Sequence, residues 1–116
     1  RDNNIRDAGA AAIAEALRGN AVMTNLVLSG NNIGDEGAKA LASALRVNGV
    51  LTELRLDENR IGDEGAKALA SALRVNKVLK ALYIGGKYLD DEGAKAIRDA
   101  VSGREGVELD MKVRGL

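Results

Sequence analysis

The chain has 116 residues, enough for one domain, and contains no cysteine, histidine, proline, phenylalanine or tryptophan. Without cysteine and histidine it lacks disulfides, thiolate nucleophiles, zinc-thiolate sites and the commonest general base. Seventeen basic residues balance seventeen acidic ones, so the net charge favours neither nucleic acid nor anionic lipid as a partner.

Membrane insertion and secretion also find no support in the sequence. No apolar run approaches the roughly 18 residues of a membrane span, and the N-terminus lacks the basic and apolar segments of a signal peptide. We therefore expect a cytoplasmic protein that is not an enzyme and has no cofactor, metal, nucleic-acid or membrane partner.

Internal repetition is the strongest pattern in the chain. Residues 31–50 and 59–78 agree at all but two positions, and looser matches extend the same offset of 28 residues in both directions. The offset divides the single domain into a partial repeat 1–22, repeats 23–50, 51–78 and 79–105, and a C-terminal capping strand 106–116.

The partial first repeat matches only the later half of the unit, since Ile5 already aligns with Ile33. A strand around Leu26 would then form an unprotected sheet edge. We expect further repeats to precede this segment in a longer chain, and we predict weak self-association through the edge strand.

The first half of each complete unit has the pattern of a short strand. At 51–61 the sequence reads LxxLxLxxNxI, in which Leu54 and Leu56 alternate with polar residues. This alternation predicts a strand with one buried face. Equivalent segments begin at Met23 and Leu79.

The second half has the pattern of a helix. Apolar residues between 38 and 45 recur at i, i+3, i+4 and i+7, which defines one buried helical face. We expect Asp35 to cap the N-terminus of this helix, and Asn48 with Gly49 to allow a left-handed exit at its C-terminus.

The unit resembles the leucine-rich repeat, in particular the ribonuclease-inhibitor-like subtype with 28-residue repeats, on the strength of 51–61 and the following GDEGAKALASAL at 62–73. The resemblance implies a right-handed α/β solenoid, a horseshoe segment with a parallel sheet on the concave face and helices on the convex face. It also implies that Asn31 and Asn59 form an asparagine ladder, bonding backbone groups in the turn after each strand. Lys87 takes that place in the next repeat, so we expect the ladder to stop and the turn to differ.

The C-terminal segment alternates Val107, Leu109, Met111 and Val113 with charged residues, and aligns with its predecessor at an offset of 27. This predicts a half-buried strand whose charge protects the sheet edge. We interpret it as a cap.

The residues between the buried strand positions supply the candidate binding surface, on the concave face. Because neighbouring strands lie about 4.8 Å apart, equivalent residues should form three rows: Asn25, Glu53, Ala81 and Glu108; Val27, Arg55, Tyr83 and Asp110; Ser29, Asp57, Gly85 and Lys112. Tyr83 lies between Arg55 and Asp110, and Tyr and Arg most often anchor interfaces. The alternative is that Tyr83 covers aliphatic surface near the cap while Arg55 pairs with Glu53 or Asp57.

The acidic and glycine-rich segments do not indicate a metal or nucleotide site. Asp35, Asp63 and Asp91 would begin adjacent helices about 10 Å apart, too far to share one ion. The Gly85-Gly86 segment lacks the spacing of a phosphate loop. No residues form a catalytic constellation.

The leading hypothesis is a non-enzymatic module that binds a protein or peptide on its concave sheet. The resemblance also allows a regulatory or sensor segment of a larger receptor, similar to nucleotide-binding immune receptors, or a GTPase activator. The near-identity of two repeats leaves open a consensus-engineered scaffold or a recent duplication.

Overall fold

A computed structural model describes residues 4–112. Within them, helices and short strands alternate as α1 (Arg6–Arg18), β1 (Asn25–Val27), α2 (Asp35–Leu45), β2 (Glu53–Arg55), α3 (Asp63–Val75), β3 (Ala81–Tyr83), α4 (Asp91–Ala100) and β4 (Glu108–Asp110). One parallel sheet runs β1-β2-β3-β4, and each helix packs against the next. The expected α/β solenoid is confirmed, whereas Val113 and both chain ends lie outside the described residues. No helix in this part of the chain is long and apolar enough to cross a membrane.

The strand register follows the sequence offset. Asn25 pairs with Glu53 and Glu53 with Ala81, each 28 residues apart, whereas Ala81 pairs with Glu108, 27 residues apart. Equivalent side chains therefore lie side by side across the sheet.

Aliphatic residues fill the space between sheet and helices. Leu54 in β2 and Leu56 directly after it are completely buried, as are Leu41 and Leu69 from the helices. The many helical alanines allow neighbouring helices to approach closely, so the core needs no aromatic ring. The predicted half-burial of the last strand is confirmed, since Leu109 is only partly covered.

The aspartates that begin the helices cap the next helix, so the prediction that Asp35 caps its own helix was wrong. Gly34 takes the N-cap position of α2 without a side-chain bond. The Oδ1 atom of Asp35 instead accepts hydrogen bonds from Gly62 N at 2.8 Å and Gly65 N at 2.9 Å. A capping side chain must come from an extended residue before the helix, and Asp35 already lies within the first turn. Asp63 repeats this contact toward α4.

This contact between repeats makes a testable prediction. Asp35→Ala removes two hydrogen bonds at the N-terminus of α3, and we expect the free energy of unfolding to fall by about 1 kcal/mol in chemical denaturation. Asp91→Ala is the matched control, because Asp91 begins α4 and no further helix follows it in the described chain. Equal losses in the two variants would show that each aspartate acts only on its own helix.

The asparagine ladder after the strands is confirmed at Asn59. Its Nδ2 donates to Leu28 O and Leu56 O, both at 2.9 Å, and its Oδ1 accepts from Asn31 N at 2.8 Å and Ile33 N at 2.9 Å. One buried side chain thus satisfies four backbone groups drawn from two repeats.

The turn after β3 differs from the earlier ones, as expected from Lys87. Gly30 and Glu58 have left-handed backbones (φ +71° and +61°), whereas Gly86 at the equivalent place does not. A Cβ atom on Gly86 would lie 3.1 Å from Asn59 O. Glycine therefore lets this turn pack directly against the end of the ladder.

A second asparagine ladder follows the helices, and the predicted left-handed exit was wrong. Neither Asn48 nor Gly49 has a positive φ. The Nδ2 atom of Asn48 donates to Leu17 O at 2.9 Å and Asn20 O at 3.1 Å, while its Oδ1 accepts from Leu51 N at 2.8 Å. Asn48 therefore connects the segment after α2 to carbonyls at the C-terminal end of α1 and just beyond it.

Arg104 terminates this second ladder. Asn76 repeats the contacts of Asn48, and Arg104 then donates from Nη1 to Leu73 O and Asn76 O, both at 3.2 Å, and from Nη2 to Leu79 O at 3.0 Å. The guanidinium closes the open carbonyls at the C-terminal end of the stack.

Candidate protein-binding surface

The structure brings the predicted rows together on the sheet. Cross-strand pairing aligns the first two rows: Asn25, Glu53, Ala81 and Glu108; Val27, Arg55, Tyr83 and Asp110. In the third row, Ser29 Oγ donates to Asp57 Oδ1 at 2.8 Å, and Gly85 lies against the backbone of Lys112. All these residues except the buried Gly85 are exposed or half-buried.

Arg55 and Tyr83 form the centre of this surface. The Arg55 guanidinium carbon lies 4.2 Å from the centroid of the Tyr83 ring, within cation–π range. Arg55 Nε also donates to Glu53, and the Tyr83 hydroxyl donates to Glu108 at 3.2 Å. The ion pair foreseen between Arg55 and Glu53 thus coexists with the stack, and the four side chains connect β2, β3 and β4.

The contacts of Arg55 and Tyr83 favour the cationic form of the arginine and the neutral form of the tyrosine. The hydrogen bond to Glu53 raises the pKa of Arg55 above its ordinary value, against a smaller opposing effect of desolvation. The hydrogen bond to Glu108, together with desolvation, raises the pKa of Tyr83. At neutral pH the surface presents a guanidinium cation stacked on a neutral phenol.

Comparisons with known proteins identify the family. A family model described as Leucine Rich repeat matches residues 1–14, 19–42 and 47–70, more than half of the chain. The chain belongs to the leucine-rich repeat family. Among solved structures it is similar to leiomodin-1 actin-binding site 2, with a TM-score of 0.85 and 26% identity over 95% of this chain and 67% of that chain. A search of curated proteins finds no match.

The hydrogen bond from the Tyr83 hydroxyl to Glu108 predicts that the phenol loses its proton at a higher pH than an ordinary tyrosine. In a Tyr88→Phe background, where Tyr83 is the only tyrosine, we expect the phenol pKa to exceed its ordinary value of about 10. Adding Glu108→Gln should lower it, because the carboxylate stabilises the phenol and repels the phenolate. Ultraviolet absorbance against pH measures both values. A pKa unchanged by Glu108→Gln would contradict the contact.

The sign of the linked stability follows from the raised pKa. The Tyr83 contact contributes stability that is fully present below the ordinary tyrosine pKa and is lost as pH rises through the folded-state pKa. We therefore expect the difference in stability between the parent chain and Glu108→Gln to shrink as pH rises through the folded-state pKa of Tyr83.

A second arginine–tyrosine pair, in the segments that follow β2 and β3, was not predicted from the sequence. The Arg60 guanidinium carbon lies 5.7 Å from the centroid of Tyr88, and both residues line a shallow cavity of about 200 Å³ together with Lys87. The spacing could have indicated this pair, since Arg60 lies five residues after Arg55 and Tyr88 lies five residues after Tyr83.

The acidic helix starts of the leucine-rich repeats do not assemble into a site. Asp35 and Asp63 are engaged with backbone amides of the neighbouring helix. Across residues 4–112, no group of three or more acidic side chains is arranged to hold a metal ion.

Proposed function

We propose that this leucine-rich repeat chain is a non-enzymatic module that binds a protein or peptide on the concave face of its sheet. The observation that carries the proposal is the stack of Arg55 on Tyr83 at the centre of aligned, exposed rows. Arginine and tyrosine are typical interface anchors. Side chains held before binding lose little conformational freedom on binding, which favours affinity.

Finer features of the repeat are part of the same proposal. We infer the ribonuclease-inhibitor-like subtype and the repeat boundaries 23–50, 51–78 and 79–105, and the strand register of 28 residues supports them. We also infer a cytoplasmic location, in keeping with the cysteine-free composition.

The experiment first isolates a partner by affinity capture on the parent chain. The affinity of that partner is then measured by titration for two double variants. Arg55→Ala with Tyr83→Ala should weaken binding by about tenfold or more, since each anchor is worth ~1–2 kcal/mol or more when truncated. Lys39→Ala with Lys67→Ala removes the same number of side chains from exposed helix positions and should leave affinity unchanged. If only the lysine changes abolish binding, the concave assignment is wrong.

A second, more specific candidate is actin binding. The likeness to leiomodin-1 actin-binding site 2 covers 95% of this chain, which favours actin as a first partner to test. Titration of actin monomers with the chain, followed by repetition with the Arg55 and Tyr83 double variant, tests this directly. Absence of binding would remove actin and leave the broader proposal to the capture experiment.

A further inference from the structure

A cluster of charged side chains lies beyond the ends of β2 and β3, around the shallow cavity of about 200 Å³ beside the Arg60–Tyr88 pair. We call this cavity the turn pocket. Its lining consists of Asn32, Glu58, Asn59, Arg60, Lys87 and Tyr88. Strands β1 and β4 flank β2 and β3 in the sheet, so the turn pocket belongs to the inner repeats of the stack.

The turn pocket is where the repeats depart from one another. The two near-identical repeats differ at only two positions, and one of these places Arg60 where the preceding repeat has Asn32. In the following repeat, Lys87 takes the place of the ladder asparagine and Tyr88 that of Arg60. Two cations and an aromatic ring thus replace repeat residues at one place.

A further departure in the turn pocket is unfavourable for the backbone. Glu58 has a left-handed conformation, with φ at +61°, where the preceding repeat has Gly30 at φ +71°. Glycine adopts this conformation readily, whereas a residue with a Cβ atom does so at a cost in free energy. Residues held in such conformations cluster at ligand-binding sites, which is independent support for a site here.

The cations of the turn pocket are unpaired within residues 4–112. The side chains of Arg60 and Lys87 are exposed and make no ion pair or hydrogen bond there. Arg60 contacts the ring of Tyr88, which leaves its N–H donors available. Glu58 also has no ion pair in this part of the chain, so the lining carries two cations and one anion, a net charge of plus one.

We propose that the turn pocket binds the carboxylate of an aspartate or glutamate side chain on the protein partner, a proposal that rests on the function proposed above. The Arg60 guanidinium can bind a carboxylate through two parallel N–H donors, and Lys87 supplies a second positive charge. The Tyr88 hydroxyl, which has no partner in the described chain, is a further donor. A net charge of plus one matches one carboxylate, whereas Glu58 repels the additional charge of a phosphate.

The turn pocket lies close enough to the Arg55–Tyr83 stack for one partner segment to contact both. Tyr88 follows Tyr83 by five residues, and five residues span at most about 18 Å. An extended partner segment covers that distance with about six residues. We therefore expect an acidic residue within about six residues of the partner position that contacts Tyr83.

The test titrates the isotopically labelled 116-residue chain with the blocked tripeptide acetyl-GEG-amide and follows the backbone amides by nuclear magnetic resonance. We expect saturable shifts at Gly86 and Lys87, with an affinity in the millimolar range because the ligand is small. The peptide acetyl-GQG-amide, which has a similar shape and no charge, should cause none. A peptide with phosphoserine in the central place should bind no more tightly than the glutamate peptide.

Variants taken from the chain's own repeats place the carboxylate in the turn pocket. Arg60→Asn introduces the residue found at Asn32 one repeat earlier, so it should fold, and it should weaken peptide binding about tenfold. Lys77→Gly is the matched control, because it is the other difference between the two repeats and introduces the residue found at Gly49. It removes a positive charge outside the pocket lining and should leave peptide binding unchanged. Circular dichroism checks the fold of both variants.

Arg55→Ala separates this proposal from the proposed function. The tripeptide should bind this variant as tightly as the parent chain, because Arg55 does not line the turn pocket. In titration of the captured partner, Arg60→Asn should weaken binding and Lys77→Gly should not. A partner unaffected by the Arg55 and Tyr83 double variant would remove the concave-face function and leave the tripeptide result standing.

Five results would each overturn the carboxylate site. They are the absence of saturable shifts with the glutamate peptide, equal binding of the glutamine peptide, tighter binding of the phosphoserine peptide, equal peptide affinity in Arg60→Asn and Lys77→Gly, and loss of peptide binding in Arg55→Ala. Unchanged affinity of the captured partner for Arg60→Asn would overturn the assignment of the site to the partner.

Discussion

Asn59→Ala is expected to lower the free energy of unfolding by about 3 kcal/mol or more, because each buried group left without a partner costs ~1–3 kcal/mol. The side chain bonds Leu28 O and Leu56 O as donor and Asn31 N and Ile33 N as acceptor. The Asn59 side chain is buried between stacked repeats, so its removal leaves these groups without their partner. Chemical denaturation followed by circular dichroism measures the loss.

Asn31→Ala provides the matched control for the ladder. Asn31 occupies the same place one repeat earlier and is also buried, but within residues 4–112 its side chain makes one hydrogen bond, from Nδ2 to Ser29 O at 3.1 Å. We expect it to lose about 1 kcal/mol. Equal losses at the two positions would mean that the bonds between repeats contribute little.

Leu54→Ala is expected to lower the free energy of unfolding by about 3–4 kcal/mol, the range for leucine truncation at sites that collapse poorly. Leu54 is completely buried, and its strand β2 lies between β1 and β3. Repeats on both sides hold the walls of the resulting cavity in place. Denaturant titration at one protein concentration measures the effect.

Leu109→Ala tests whether position in the stack decides the loss. Leu109 pairs with Leu82 and is the counterpart of Leu54 in β4, but it is only partly buried because the described chain places no strand beyond it. We expect roughly half the loss of Leu54→Ala or less, in proportion to the apolar area removed from water. A loss as large as that of Leu54→Ala would contradict this view of the core.

The features predicted most accurately from the sequence are those in which a residue meets its own copy in the next repeat. The offset of 28 residues became the register between Leu26 and Leu54, and the offset of 27 became the pairing of Ala81 with Glu108. The three rows on the sheet follow from the same arithmetic.

Contacts between unlike positions of neighbouring repeats could not be predicted in this way. The carboxylate of Asp35 reaches Gly62 and Gly65 because stacking places the next helix beside it. Nothing in one repeat distinguishes that contact from a cap on its own helix. The role of Asn48 was missed for the same reason, since its partners are the carbonyls of Leu17 and Asn20.

The candidate surface lies between these two cases. Its rows were predictable, but the choice of Arg55 between Glu53, Asp57 and Tyr83 depends on side-chain rotamers. The structure shows that Arg55 uses Glu53 and Tyr83 together, while Asp57 bonds Ser29. The surface therefore has an ordered centre that residue types alone do not specify.

Site-specific photocrosslinking is the most direct measurement of where a partner binds. A photoreactive phenylalanine analogue would replace Tyr83 on the sheet in one sample and Lys67 on the exposed side of α3 in another. We predict a crosslink to the captured partner from position 83 and none from position 67. A crosslink from position 67 alone would contradict binding on the concave face.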